Sequence, residues 1–172
     1  MTSLNAIGVD LSFTATGIAW ASDASDVFDT DPSQPDHVRA QRIALDVMAH
    51  TADRCHLVVI EAGVHRSHHA FRAGILHGVV RSALEIHRPG LPVVLVSPGA
   101  LKRFATGKGS ADKTAMVIAA RDRLGYQAVD HNEADALWLR QVGMHLLGVP
   151  EVELPRTHLE ALAKIERPEG LR

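Results

Sequence analysis

Ala6-Ile7-Gly8-Val9-Asp10, followed after a polar stretch by Gly17-Ile18-Ala19-Trp20-Ala21, decides the reading of this chain. The first apolar run predicts a buried strand over 5–11, and the second predicts its partner over 17–21. Ser12 to Thr16 form a tight connection, so the two make a hairpin. The first strand ends on a carboxylate. A second short apolar run, Leu57-Val58-Val59-Ile60-Glu61, also ends on one. Carboxylates are costly inside an apolar core, so at strand ends they mark a rim facing a cleft.

Working outward, residues 22–36 are acidic and carry Pro32 and Pro35, with a short third strand around Val27-Phe28 inside loop. Val38, Ile43, Leu45, Val47 and Met48 recur at helical spacing within 37–53. Phe71, Ile75, Val79 and Leu84 share one face of a helix that Pro89-Gly90 stops near His87. Its apolar surface is wider than one stripe, which predicts a second helix against it, from another subunit. Leu91 to Val96 form the fifth strand, followed by a short helix. Ser110 is the expected cap of the next helix, which Gly125 ends; Asp130 caps the last long one, with Glu133 in a capping-box position. The order is three strands, helix, strand, helix, strand, then helices. It predicts an α/β fold with a five-stranded mixed sheet and helices on both faces. One domain is expected over 1–150, then a polar tail over 151–172 with one short helix around 157–166.

The composition is ordinary for a globular domain, 46% apolar and 22% charged, with no run long enough for a membrane span and no basic-then-apolar start resembling a secretory signal. The lone cysteine, Cys55, excludes an internal disulfide and fits a reducing cytoplasm. The net charge of −2 argues against indiscriminate coating of nucleic acid, but its distribution is uneven. Five aspartates and no Lys or Arg lie between Asp23 and Asp36. Six basic residues lie between Leu101 and Leu124: Lys102, Arg103, Lys108, Lys113, Arg121 and Arg123.

A third carboxylate, Asp135, lies near the start of a helical segment, with Asn132 and His131 three and four residues before it on the same face. Asp10, Glu61 and Asp135 are hard oxygen donors suited to Mg²⁺ or Mn²⁺ rather than zinc, and two such ions roughly 4 Å apart serve phosphodiester hydrolysis. Asn132 or His131 would complete the site. Lys102, Arg103, Lys108 and Lys113 are candidate phosphate contacts, and so are Thr16, in the turn after Asp10, and His65 and Arg66, just past Glu61. Gly17 allows either hairpin chemistry or close approach of a phosphate backbone. His65, His68 and His69 lack the carboxylate partner of a zinc site. Thr106-Gly107-Lys108-Gly109-Ser110 lacks the earlier glycine of a Walker A loop.

In this order the motifs resemble the RuvC-type Holliday junction resolvases of the ribonuclease H-like superfamily, in their bacteriophage branch. Ile7-Gly8-Val9-Asp10 with Thr16-Gly17 resembles their first motif and Val59-Ile60-Glu61 the second. Leu101-Lys102-Arg103-Phe104 through Lys113 resembles their basic loop and helix, and Ala134-Asp135-Ala136-Leu137 their last acidic motif. The resemblance spans about residues 5–148. It implies a ribonuclease H-like fold and a homodimer that resolves four-way DNA junctions by paired nicks with two Mg²⁺ or Mn²⁺ ions, in the cytoplasm, a host's if the protein is viral. It implies catalytic roles for Asp10, Glu61 and Asp135, with Asn132 beside them, DNA contact by Lys102 and Lys113, and a dimer interface at Phe71, Ile75 and Val79. Two positions depart from the pattern. Asn132 stands where bacterial members carry an aspartate or histidine, and Val64-His65 where they carry a junction-wedging aromatic. Broader cleavage of branched DNA follows as an alternative, and an inert branched-DNA-binding module as another. A nucleotide-handling relative of the sugar-kinase kind would need a second lobe, which this length does not supply.

Overall fold

A computed structural model describes residues 4–51, 55–63 and 70–168. Five strands form one sheet: β1 (Ala6–Asp10), β2 (Ala15–Ala21), β3 (Ala24–Asp29), β4 (Leu57–Glu61) and β5 (Val93–Val96). Their order across the sheet is β3-β2-β1-β4-β5. β1, β2 and β3 run antiparallel as a meander, whereas β4 lies parallel to both β1 and β5. The sheet is therefore mixed, as expected from the element order.

Alternation along the strands divides the core in two. Ile7 and Val9 of β1, Ile18 of β2, and Val58 and Ile60 of β4 meet α1 (Asp36–His50) and α2 (Ala70–His87) on one face. Ala6, Leu57, Val59, Val94 and Val96 meet α3 (Pro98–Thr106), α4 (Lys113–Ala119) and α5 (His131–Leu146) on the other. Both faces are covered, which explains why the central strands β1 and β4 read as continuous apolar runs. Among the described residues no helix is long and apolar enough to cross a membrane.

α5 lies closer to the sheet than side chains would ordinarily allow. A Cβ on Gly8 would stand 2.1 Å from the Ala136 carbonyl oxygen, and one on Gly17 2.3 Å from that of Asn132. Gly17 is therefore a packing residue under the helix, a role that neither the hairpin nor the phosphate-approach reading supplied. Thr16, a candidate DNA contact, is fully buried. Its hydroxyl donates to the Ser12 carbonyl at 2.7 Å and accepts from the Ser12 N–H at 3.2 Å, closing the turn, so it is not open to a phosphate.

Other local expectations need correction. The third strand forms where expected but is longer, with β3 running six residues around Val27-Phe28; Asp26 and Asp29 face solvent at the sheet edge, where charge discourages pairing with another chain. Asp112, not Ser110, caps α4, accepting from the Ala115 N–H at 2.8 Å. A π-helical turn, Ala120–Leu124, extends α4 until Gly125 ends it in the left-handed region at φ 68°. Asp130 does cap α5, accepting from the Glu133 N–H at 2.9 Å. Glu133, however, does not reach back to the cap as a capping box requires. It is buried, and accepts from Ser25 Oγ at 2.7 Å, Tyr126 OH at 3.1 Å and the Val129 N–H at 2.5 Å, tying α5 to β3 and the preceding loop. The segment after Pro150 forms α6 (Arg156–Leu159) and a 3₁₀ turn (Glu160–Lys164), and Ala161 and Ile165 belong to the α3–α5 core.

Candidate active site

Strand register brings two acids together. β1 and β4 pair Val9 with Ile60, so Asp10 and Glu61 follow side by side at the same end of the sheet. Alternation from Ala6 and Gly8, and from Leu57 and Val59, turns both toward the α5 face. There the close seat of α5 brings Asp135 to them. Asp10 feels the charges of Glu61 and Asp135, and Glu61 that of Asp135. Burial, then the charges of Glu61 and Asp135, hold Asp10 well above the usual carboxylate range. Burial and Asp135 push Glu61 up to about 7. Burial pushes Asp135 up to about 6. Asp135 Oδ1 is buried and has no hydrogen-bond partner.

Two lysines oppose this negative charge. Lys102 acts on Glu61 and Asp135, and Lys113 acts on all three acids. They arrive from α3 and the first residue of α4, so the basic segment does fold back over the acidic strand ends. Asp130, read from sequence only as a cap, adds negative charge to Asp10 and Asp135. Its position two residues before Asn132 was the one hint of that role.

The remaining candidates divide. Asn132 donates its amide to Asp130 Oδ2 at 3.1 Å, beside the acids. His131 meets a lysine: its Nε2 lies 2.6 Å from Lys113 Nζ. Arg103 points to the C-terminal segment, 3.9 Å from Glu160, in an exposed pair. Lys108 is exposed between Gly107 and Gly109. Phe71 is 80% exposed, whereas Ile75 and Val79 are half-buried and Val79 packs into the α1–α2 core. His65, Arg66 and Val64 lie outside the described residues.

Among the described residues no group of three or more His, Cys, Asp or Glu side chains is arranged to hold one ion. The donor set nonetheless suits a hard divalent cation. All three acids supply oxygen, one oxygen is buried without a partner, and repulsion among the acids raises their affinity for any positive charge. Mg²⁺ commonly takes only one or two carboxylates and keeps several waters, so a closed cage is not required.

No family model and no curated protein matches the chain. Solved structures do. The chain is similar to a Thermus thermophilus RuvC structure at 23% identity and TM-score 0.69, over 87% of this chain and all of that one. It is similar to T. thermophilus RuvC in complex with a Holliday junction substrate at 23% identity and TM-score 0.70, over 88% of this chain and all of that one. The yeast mitochondrial Holliday junction resolvase Ydc2 matches at 13% identity and TM-score 0.55, over 80% of this chain and 76% of that one. With its strand order and helix placement, the chain has the ribonuclease H-like fold of the RuvC resolvases.

Proposed function

We propose that this protein is a metal-dependent endonuclease that resolves four-way DNA junctions. The observation that carries the reading is the meeting of Asp10, Glu61 and Asp135, with Asp135 Oδ1 unpartnered and two lysines alongside. The fold likeness to a RuvC that was solved with a Holliday junction substrate supports the choice of DNA. A buried, mutually repelling set of acids weakens the fold, and such sites are where function concentrates.

In this reading Asp10, Glu61 and Asp135, with Asn132 beside them, hold two Mg²⁺ or Mn²⁺ ions. Bound there, such ions relieve charge on the phosphate and lower the pKa of a water. The chain's own residues do the rest. Gly8 and Gly17 let α5 carry Asp135 close to the strand ends. Lys102 and Lys113 draw the phosphate to an otherwise repulsive surface and fix its approach. Lys108 extends that track. A second copy fits α2, where Phe71 and Ile86 are 80% and 82% exposed and added side chains on Gly74 and Gly78 would meet nothing within 4 Å. Two copies would set two sites for paired nicks.

A labelled synthetic four-way junction and a matched linear duplex test the reading, with EDTA, Mg²⁺ or Mn²⁺. Paired, metal-dependent nicks near the branch point are expected, slowed about a thousandfold in Asp10→Asn with junction binding kept. Equal cutting of forks and flaps would make it a general branched-DNA endonuclease. Unimpaired cutting by Asp10→Asn would sink the site assignment.

A further inference from the structure

Lys113 and His131 are the first residues of α4 and α5, and their side chains meet, Nζ to Nε2, at 2.6 Å. Each follows an aspartate cap, Asp112 or Asp130, that already serves its helix. A helix N-terminus carries partial positive charge, so a lysine there opposes the helix dipole. The stability of α4 therefore gives no reason for Lys113 to stand where it does. The reason lies across the gap, where Lys113 acts on Asp10, Glu61 and Asp135 alike.

An ammonium group has three donors and no acceptor, so the ring nitrogen facing it must accept, and Nδ1 then carries the ring proton. The Nε2 lone pair that a cation would need is used by the lysine. A lysine side chain has four rotatable bonds, and ordering it when substrate arrives would cost about 2 kcal/mol of rotamer entropy. A partner that holds it beforehand removes most of that cost.

We propose that His131 is a positioning residue: it accepts a hydrogen bond from Lys113 and holds that ammonium beside the three carboxylates, where the scissile phosphate enters, and it does not bind the cation itself. The proposal rests on the nuclease reading above.

The test combines a double-mutant cycle with two measurements that need no cleavage. In single-turnover cleavage of a four-way junction, His131→Leu is expected to be about tenfold slower than wild type. His131→Gln, whose amide oxygen can also accept, should recover most of the rate. The His131→Leu, Lys113→Met double variant should be no slower than Lys113→Met alone, because the histidine acts only through the lysine. Losses that multiply would overturn the proposal. Mn²⁺ binding to the DNA-free protein, read by electron paramagnetic resonance, should be unchanged in His131→Leu and weakened in Asp135→Asn. Weakened Mn²⁺ binding in His131→Leu would make the histidine a ligand and overturn it as well. The ring ¹⁵N signals of His131 should shift in Lys113→Met without metal or DNA, and no shift would mean that the pair does not form. If the wild type cuts no junction, the nuclease reading fails, while the ¹⁵N shift still decides whether the pair exists.

Discussion

The two ends of β1, both packed on α5, treat buried charge in opposite ways. Five residues past Asp135, the same helix carries Arg140, only 3% exposed. Its guanidinium grips Glu151 through both terminal nitrogens, one of them at 2.7 Å, and donates to Asn5 Oδ1 at 3.1 Å. Gln141 adds a bond to Glu151 at 2.8 Å. Arg140 Nε and Gln141 Oε1 are left over, but the charges match, and Glu151 is held below the usual carboxylate range by Arg140. At the other end three like charges crowd together, one oxygen has no partner, and all three acids are pushed upward. One sheet and one helix thus support both a charge cluster that stabilises the fold and one that strains it. On the proposed reading, strain kept beside two lysines at the strand ends is what a binding site for cation and phosphate requires.

The largest effect should come from breaking the matched end. Arg140→Ala leaves Glu151 without its counter-charge and opens space in the core, and should cost about 4 kcal/mol in urea unfolding. A loss below about 1 kcal/mol would mean that the pair contributes little and that the contrast between the ends is not one of stability.

The pH dependence of stability separates the two ends next. Glu61 and Asp135 bind protons more tightly folded than unfolded, so without divalent cations stability is highest while both states hold the proton. It falls as pH rises from about 4, where the unfolded acids ionise, through the folded values of about 6 and 7. The two shifts correspond to roughly 6 kcal/mol at full strength, and solvent screening of these partly exposed acids should bring the fall to about 3 kcal/mol in urea melts with EDTA. Glu151 has the opposite sign. Its contribution is present above the ordinary glutamate value and is lost as pH drops through its depressed folded value. A metal-free profile that rises from pH 5 to 7 would contradict the strained end.

The ease of reading these regions from sequence follows from how local their causes are. Asp10 and Glu61 are legible because a carboxylate closing an apolar run is anomalous within a few residues, and the strand–helix order gave the mixed sheet. Gly8 and Gly17 are not, because their job depends on a helix more than a hundred residues away. Thr16 reads as an open turn hydroxyl until the strand, beginning at Ala15, buries it. His131 shares a helix face with Asp135, which suggests a ligand, but its hydrogen-bond neighbour Lys113 comes from another helix and could not be read from that spacing. Arg103 sits in a basic run, and the run gives no sign that the C-terminal segment brings Glu160 to within 3.9 Å of it. β3 is legible only as a short strand around Val27-Phe28, because the aspartates that guard its edge look like loop composition.

The smallest effect is the one that joins the two ideas of strain and use. Asp135→Asn removes one buried charge and keeps the shape, so without divalent cations at pH 8 it should stabilise the fold by about 1 kcal/mol. Adding Mg²⁺ should reverse the order. An ion that binds the folded acids stabilises the wild type by mass action, by RT ln(1 + [Mg²⁺]/Kd), and the variant has lost part of that site. Thermal melts of both proteins with EDTA and with Mg²⁺ should therefore cross. If Mg²⁺ raises both melting temperatures equally, its stabilising site is elsewhere, and the orphaned Asp135 oxygen is a packing defect rather than a ligand in waiting. If Asp135→Asn is destabilising in EDTA, the unpartnered oxygen is in use by the fold, and the acidic end of β1 is not strained.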